Sequence, residues 1–198
     1  MTSPLLIVGL GGTTRAGSTS EQALHLALAR ARALGCQTLA FTGTTQGEDG
    51  HPGLPTEIYD PASPERSNAA RTLVDALRRA DGVLIATPAY HGGLSGLVKN
   101  ALDFIEDLRT DERTYLQGRA VGSIVCAEGA QAMGSTLASL RAVVHTLRGW
   151  NTPFGATLNT SSRPLGGDGE SADPAALQAC DLVADEVVAF ARMWRAVR

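Results

Sequence analysis

Short apolar runs alternate with longer segments of helical periodicity along this chain. The runs are too brief for helices and predict five strands, at 5–8, 36–42, 83–86, 120–126 and 152–159. Amphipathic segments follow them and predict five helices, at 21–34, 64–80, 94–108, 133–148 and 174–194. Strands that alternate with helices predict an α/β fold in which a parallel sheet is covered by helices on both faces.

Several element boundaries are marked by helix and strand breakers. Ser63-Pro64 and Asp173-Pro174 each predict an N-cap followed by a proline in the first helical turn. Gly35 predicts the end of the first helix. Thr87-Pro88 predicts the end of the third strand, because proline cannot donate a hydrogen bond to a neighbouring strand.

The loop between the first strand and the first helix, residues 9–20, contains four glycines, five hydroxyl side chains and Arg15. Free N–H groups at a helix N-terminus, together with hydroxyls and a guanidinium, suit a phosphate. The same residues also fit an ordinary capped turn, with Ser18 as N-cap and Glu21 three positions later. Neither a dinucleotide-binding fingerprint nor a P-loop is present in this loop.

A turn of small residues, Pro88 to Gly92, follows the third strand. Backbone N–H groups and a lack of bulky side chains let such a turn lie against a flat ligand. A plain strand-to-helix turn, with Tyr90 packed on the end of the sheet, fits the residues as well. His91 is expected to be solvated.

Two motifs carry a resemblance to a known family. Thr87-Pro88-Ala89-Tyr90, followed by the segment 95–103 (Ser-Gly-Leu-Val-Lys-Asn-Ala-Leu-Asp), resembles the signature of the NAD(P)H-dependent FMN reductases. The segment 12–18 is similar to the first loop of that family, Gly-Ser-x-Arg-x-x-Ser, with Thr13 in place of the first serine. The resemblance implies a flavodoxin-like three-layer sandwich, with a five-stranded parallel sheet in the order 2-1-3-4-5. It also implies a single FMN-binding domain over residues 1–198.

The resemblance further implies two groups of FMN-binding residues. The phosphate group comprises Thr13, Arg15, Ser18 and Ser20, and the ring group comprises Pro88, Ala89, Tyr90, His91, Gly92 and Gly129. Glu128 stands where the family commonly has a small residue, and we expect its carboxylate to turn outward or to meet another subunit. Hydride transfer between nicotinamide and flavin needs no protein base, so no catalytic side chain is expected. Cys126 is expected to serve packing.

The activity implied by the resemblance is the reduction of FMN by NADPH or NADH. Free flavin, a quinone or another acceptor would then take the electrons, and a monooxygenase is one partner that could receive reduced flavin. Leu94 stands where some branches carry an aromatic residue and use FMN as a substrate, which favours tightly held FMN here. Two alternatives remain open: a flavodoxin-type electron carrier, and an FMN-dependent enzyme acting on a small metabolite.

The family also implies a homodimer or homotetramer formed through the helix that carries Lys99, Asn100 and Asp103. From the residues alone, these three side chains are expected on a solvated face opposite the apolar stripe. Phe104, at the edge of that stripe, is expected to suit the contact between subunits.

Composition narrows the choice of partners and compartment. A net charge of −3 and the lack of any basic block argue against nucleic acid as a partner. Neither an apolar run of membrane-spanning length nor a signal-peptide pattern is found, so no membrane association is expected. Three widely spaced cysteines fit neither a disulfide framework nor a metal site, which favours the cytoplasm. The irregular segments 43–62 and 161–172 are expected to shape access to the flavin.

Overall fold

A computed structural model describes residues 3–43, 50, 52–166 and 171–197 of the chain. Its strands are β1 (Leu6–Gly11), β2 (Gln37–Thr42), β3 (Gly82–Tyr90), β4 (Gly93–Leu94), β5 (Ala120–Ala127), β6 (Trp150–Asn151) and β7 (Ala156–Asn159). Its α-helices are α1 (Thr19–Ala33), α2 (Asn68–Arg79), α3 (Gly96–Asp103), α4 (Ala130–Thr146) and α5 (Pro174–Ala196).

The sheet is parallel along the order β2-β1-β3-β5-β6, which confirms the predicted flavodoxin-like fold class. Each of these strands except the edge ones is buried between two helical layers. One apolar cluster joins α1 and α5 to one sheet face, and a second joins α2, α3 and α4 to the other. The carboxyl ends of β1, β3 and β5 therefore meet at one edge of the sheet, where ligands bind in open α/β folds.

The prediction of five strands was wrong in two places. The predicted strand at 152–159 is divided into β6 and β7, which pair in turn with the start and the end of β5. Pro153 lies in the gap, where it has no backbone N–H to donate to the sheet. A short antiparallel strand, β4, pairs with the end of β3, so the described residues form seven strands.

The prediction that Thr87-Pro88 ends the third strand was also wrong, because β3 continues to Tyr90. Along a parallel strand, the backbone N–H and C=O groups of successive residues point in turn to the strand on one side and to the strand on the other. The Ala86 carbonyl accepts the Gly12 N–H, so the backbone groups of Ala86 point to the β1 side. Pro88 therefore faces the β1 side as well, beyond the last residue that β1 pairs there. Because β1 has already ended at that level, the sheet loses no hydrogen bond through the missing N–H of Pro88.

The largest differences from the predicted helix limits are in α2 and α3. α2 begins at Asn68, with Ser67 rather than Ser63 as N-cap, since the Ser67 hydroxyl accepts the Ala70 N–H at 3.1 Å. The predicted helix at 94–108 is shorter than expected: α3 ends at Asp103 and a 3₁₀ helix continues to Leu108. The predicted cap of α5 is confirmed, because Asp173 accepts the Ala175 N–H at 2.9 Å.

The expected solvated face of α3 is only partly solvated. Lys99 is exposed and Asp103 is half-buried, and the two form an ion pair along the helix at 2.6 Å. Asn100 is buried, and its side-chain amide donates to the carbonyls of Pro55 and Glu57 while its oxygen accepts the Tyr59 N–H. Asn100 therefore fixes the segment 55–59 against α3.

Phe104 is buried within its own subunit, contrary to the expectation of a subunit contact. Only 1% of Phe104 is exposed, its ring meets the Tyr59 ring edge-on, and Arg66 lies over both rings. Arg66 is in turn paired with Asp107 at 2.7 Å. These residues cover the outer side of the apolar cluster that joins α2, α3 and α4 to the sheet.

Both glycine-containing irregular segments named above extend beyond the described residues. Residues 44–49, 51 and 167–170, on which part of the access prediction falls, are outside them. No helix in the described part of the chain is long and apolar enough to cross a membrane.

Candidate functional site

An open cavity of ≈ 510 Å³ lies at the carboxyl edge of the sheet. Its volume falls within the range of about 300–1,000 Å³ that is common for small-molecule sites. Three segments form its walls: the loop after β1, the end of β3, and the turn between β5 and α4. Fifteen residues line it: Thr13, Thr14, Arg15, Ser18, Thr19, Ser20, Pro88, Ala89, Tyr90, Cys126, Ala127, Glu128, Gly129, Ala132 and Thr160.

The loop after β1 begins later than the sequence predicted. Gly9 and Gly11 belong to β1, and a side chain at Gly9 would meet Leu28 of α1 at 2.7 Å. Gly12 then lies against α3, because a Cβ there would be 2.6 Å from both the Ser95 hydroxyl oxygen and Val98. Close packing of backbone against two helices, rather than ligand approach, explains these glycines.

Three buried hydroxyls of this loop border the cavity, and two of them accept a backbone N–H from the same loop or from the first turn of α1. The Thr13 hydroxyl oxygen accepts the Arg15 N–H at 3.1 Å, and the Ser18 oxygen accepts the Glu21 N–H at 3.3 Å. The Ser18 and Ser20 oxygens lie 3.3 Å apart. One serine donates its proton to the other, so the Thr13 hydroxyl and one serine hydroxyl keep a proton to donate to a ligand.

Both interpretations of the first loop prove compatible. Ser18 caps α1, as the capping-box pattern predicted, and the Glu21 carboxylate accepts the Gly17 N–H at 2.6 Å. Glu21 is thereby engaged with the backbone of the loop. The exposed Arg15 side chain borders the cavity beside the hydroxyls, so a capped helix start and a cationic, donor-rich wall coexist. Such a wall suits a phosphate group.

The second wall is a β-hairpin formed by the end of β3 and β4. Tyr90 pairs with Gly93, and the two residues between them, His91 and Gly92, have φ values of 53° and 78°. Two successive positive φ values are the mark of a type I′ turn, which matches the twist of paired strands. His91 and Gly92 thus form the tip of the hairpin and do not line the cavity.

Hydrogen bonds to the start of α3 and to α4 hold this hairpin in place. The buried Thr87 hydroxyl donates to the Pro88 carbonyl and accepts the Ser95 N–H at the start of α3. Ser135 of α4 donates to the Gly92 carbonyl at 3.0 Å. Pro88, Ala89 and the half-exposed Tyr90 therefore present a fixed, mainly apolar surface to the cavity.

The third wall is the start of α4. Gly129 is the N-cap and has no side-chain cap, and the first helical hydrogen bond runs from the Met133 N–H to the Gly129 carbonyl. The N–H groups of residues 130–132 precede that bond and have no acceptor within the helix. This turn therefore offers backbone donors to whatever fills the cavity.

Cys126 borders the cavity as a neutral thiol. Burial raises the pKa of its thiol to about 12, with a smaller effect from the nearby Cys180. A thiol with a raised pKa is a weak nucleophile at neutral pH. The described structure therefore agrees with a packing role for Cys126.

Eight of the ten residues proposed for FMN lie together around the cavity, and His91 and Gly92 do not. Seven further residues line the cavity: Thr14, Thr19, Cys126, Ala127, Glu128, Ala132 and Thr160. Four of them, Cys126, Ala127, Glu128 and Thr160, lie at or directly after the carboxyl end of a strand, which is the signal that could have identified them. Glu128, whose carboxylate was expected to turn outward or to meet another subunit, borders the cavity.

Comparisons with known proteins agree with this geometry. Residues 5–161 match the model of a family described as NADPH-dependent FMN reductase. The chain is 37% identical over 82 residues to an FMN reductase (NADPH) from Escherichia coli K12, covering 41% of this chain and 36% of that protein. It is 30% identical over 115 residues to an FMN-dependent NADPH-azoreductase from Staphylococcus haemolyticus, covering 58% of this chain and 50% of that protein.

Among solved structures, an oxidoreductase from Corynebacterium diphtheriae has a similar fold. The TM-score is 0.71 at 18% identity, over 97% of this chain and 99% of that one. The chain spans about half the length, or less, of the two curated relatives, so their whole activities are not carried over with the match.

Proposed function

The chain belongs to the NADPH-dependent FMN reductase family, and from this premise we propose that it binds FMN and reduces it with NADPH or NADH. The observation that carries the proposal is the joining of a donor-rich cationic wall, a flat apolar wall and an uncapped helix start around one cavity. The donor-rich cationic wall fits the phosphate of FMN, the flat apolar wall fits its ring system, and the uncapped helix start fits the hydrogen-bonding edge of the ring. Bound FMN would supply the hydride acceptor.

Two groups of cavity residues would bind the two ends of FMN, the phosphate and the ring. Thr13, Arg15, Ser18 and Ser20 would hold the phosphate through hydroxyl, guanidinium and backbone donors. Pro88, Ala89 and Tyr90 would support one face of the ring, and the Gly129 turn would meet its polar edge. His91 and Gly92 would keep the hairpin in the shape that presents this surface.

The electrons would pass to a second acceptor that approaches the open side of the cavity. Free flavin, a quinone or another oxidised compound could serve, and a monooxygenase could receive reduced flavin. A single domain, and a location in the cytoplasm with its supply of nicotinamide nucleotides, belong to the same proposal.

A homodimer or homotetramer is also part of the proposal. The contact surface we propose, in place of Phe104, is a groove between α3 and α4 that is lined by both apolar and polar residues: Lys99, Leu102, Asp103, Ser139, Ala142, Val143, Thr146 and Leu147. Sedimentation velocity at micromolar concentration tests it, and a boundary of monomer mass would contradict it.

An anaerobic titration of FMN-loaded protein with NADPH, and separately with NADH, tests the activity. Bleaching of the visible flavin band, followed by many turnovers when an acceptor is added, is the expected result. Flavin that binds but stays oxidised with both nucleotides would contradict the reductase and favour an electron carrier or an enzyme acting on a small metabolite.

A further inference from the structure

Among the described residues that line the cavity, Arg15 and Glu128 are the two that carry a basic or an acidic side chain. They lie on opposite sides of the hairpin, since Arg15 follows β1, Glu128 follows β5, and β3 runs between these strands. Neighbouring strands are about 4.8 Å apart, so the two segments are separated by about 10 Å across the sheet. The cavity therefore has one positive end and one negative end.

Glu128 is exposed and has no ion pair or hydrogen bond within the described part of the chain. Two other glutamates are engaged: Glu21 accepts the Gly17 N–H and Glu186 accepts the Phe154 N–H. Glu128 directly precedes the N-cap of α4, where the helix dipole favours a negative charge. Its charge is therefore not neutralised by a neighbouring cation.

We propose that Glu128 selects the second substrate by charge, favouring neutral or cationic electron acceptors over anionic ones. This inference rests on the proposed FMN reductase function, in which the ring of FMN lies at the Glu128 end of the cavity. An acceptor must approach that end closely to take electrons. A fixed negative charge there attracts cations and repels anions at short range, and salt weakens both effects.

The same charge acts on the cofactor. Oxidised isoalloxazine is neutral, whereas reduction adds negative charge to the ring system. A nearby carboxylate opposes that added charge and lowers the midpoint potential of bound FMN. Glu128 therefore leaves the affinity for oxidised FMN nearly unchanged while it weakens the affinity for reduced FMN.

Glu128→Gln tests the selection, because glutamine keeps the size of the side chain and removes its charge. Wild-type and variant protein, loaded with FMN and supplied with NADPH, are compared with ferricyanide, a trianion, and hexaammineruthenium(III), a trication. Each ion takes one electron, so two ions accept the electron pair that one hydride delivers. We expect E128Q to shift the ratio of kcat/KM about tenfold toward ferricyanide at low ionic strength, and less at high salt.

Glu112→Gln is the matched control. Glu112 is also exposed, and it lies in the segment before β5, at the opposite edge of the sheet from the cavity. E112Q removes the same charge as E128Q, but far from the cavity. We therefore expect E112Q to leave the kcat/KM ratio at the wild-type value. An equal shift in both variants would overturn the local role of Glu128.

The midpoint potential of bound FMN gives a readout that does not depend on nicotinamide oxidation. Reductive titration with dithionite against a reference dye should show a more positive potential in E128Q than in the wild type. An unchanged potential together with an unchanged acceptor ratio would overturn the inference and leave the reductase intact. Flavin that NADPH and NADH fail to reduce would overturn the proposed function, while the potential would still test Glu128.

Discussion

Helices α1 and α4 begin at the same cavity, but their first turns are completed in different ways. At α1, Ser18 accepts the Glu21 N–H and the Glu21 carboxylate accepts the Gly17 N–H. At α4, Gly129 occupies the N-cap without any side-chain cap in the described structure. One helix start is closed by its own side chains, whereas the other keeps its N–H groups available.

This difference suggests that the two ends of the cavity recognise different chemistry. In the proposed complex, hydroxyl protons and Arg15 would recognise the phosphate at the α1 end, where capping hydrogen bonds already hold the backbone. Backbone N–H groups, which are weaker donors, would recognise the ring edge at the α4 end. A dianionic phosphate needs the first arrangement, and a neutral heterocycle is adequately held by the second.

Among the substitutions that test this difference, loss of Arg15 should change FMN affinity the most. In Arg15→Ala, a hydrogen-bonded cation is removed from the phosphate end, and such bonds contribute about 1.5–3 kcal/mol. We expect FMN affinity to fall about tenfold or more, measured by fluorescence quenching, with Arg15→Lys intermediate. Arg32→Ala, at the far end of α1, is the control and should bind FMN like the wild type. Unchanged affinity in R15A would place the phosphate elsewhere.

Loss of Ser18 should have two separable effects. Ser18→Ala removes the cap of α1, which lowers the free energy of unfolding by about 1 kcal/mol, and also a phosphate donor. We expect FMN affinity to fall about tenfold, because the lost hydrogen bond is to a charged group. Denaturant unfolding without FMN and a separate FMN titration measure the two effects.

Ser67→Ala supplies the matched control for the cap alone. Ser67 caps α2 through the Ala70 N–H and does not border the cavity. It should lose about the same unfolding free energy as S18A and keep its FMN affinity. If both variants bound FMN equally well, Ser18 would be only a cap.

The order of elements and the edge that carries the site could be predicted from periodicity and from the position of two loops. The loop after β1 was interpreted both as a phosphate site and as a capped turn, and the structure shows that Ser18 caps α1 and also borders the cavity. These features depend on residues close together in sequence, where capping and turn preferences act directly.

The features that sequence did not reveal depend on distant contacts. Asn100 is buried because it satisfies the backbone of residues 55–59, more than forty positions away. The extension of β3 through Pro88 depends on where β1 ends, and the I′ turn at His91-Gly92 depends on pairing with β4. Local propensity cannot specify such partners, since tertiary context overrides it.

Converting the start of α4 into one that resembles α1 should have the smallest effect. Gly129 has φ −117° and ψ 133°, a conformation that serine adopts readily at an N-cap, and a Cβ there would meet nothing within 4 Å. Gly129→Ser should therefore add a few tenths of a kcal/mol to the free energy of unfolding. We expect FMN affinity to fall about threefold, because the new hydroxyl oxygen competes for N–H groups that the ring edge would use.

Gly129→Ala separates competition for those N–H groups from simple bulk. It adds the same Cβ without an oxygen, so it should weaken FMN binding less than G129S does, while lowering the free energy of unfolding, since alanine caps poorly. If G129S is more stable than the wild type, G129A is less stable, and G129S binds FMN more weakly than G129A, then the N–H groups at the start of α4 are left uncapped so that a ligand can use them. Equal loss of affinity in both variants would mean that only space at Gly129 matters, and the contrast between the two helix starts would then concern folding alone.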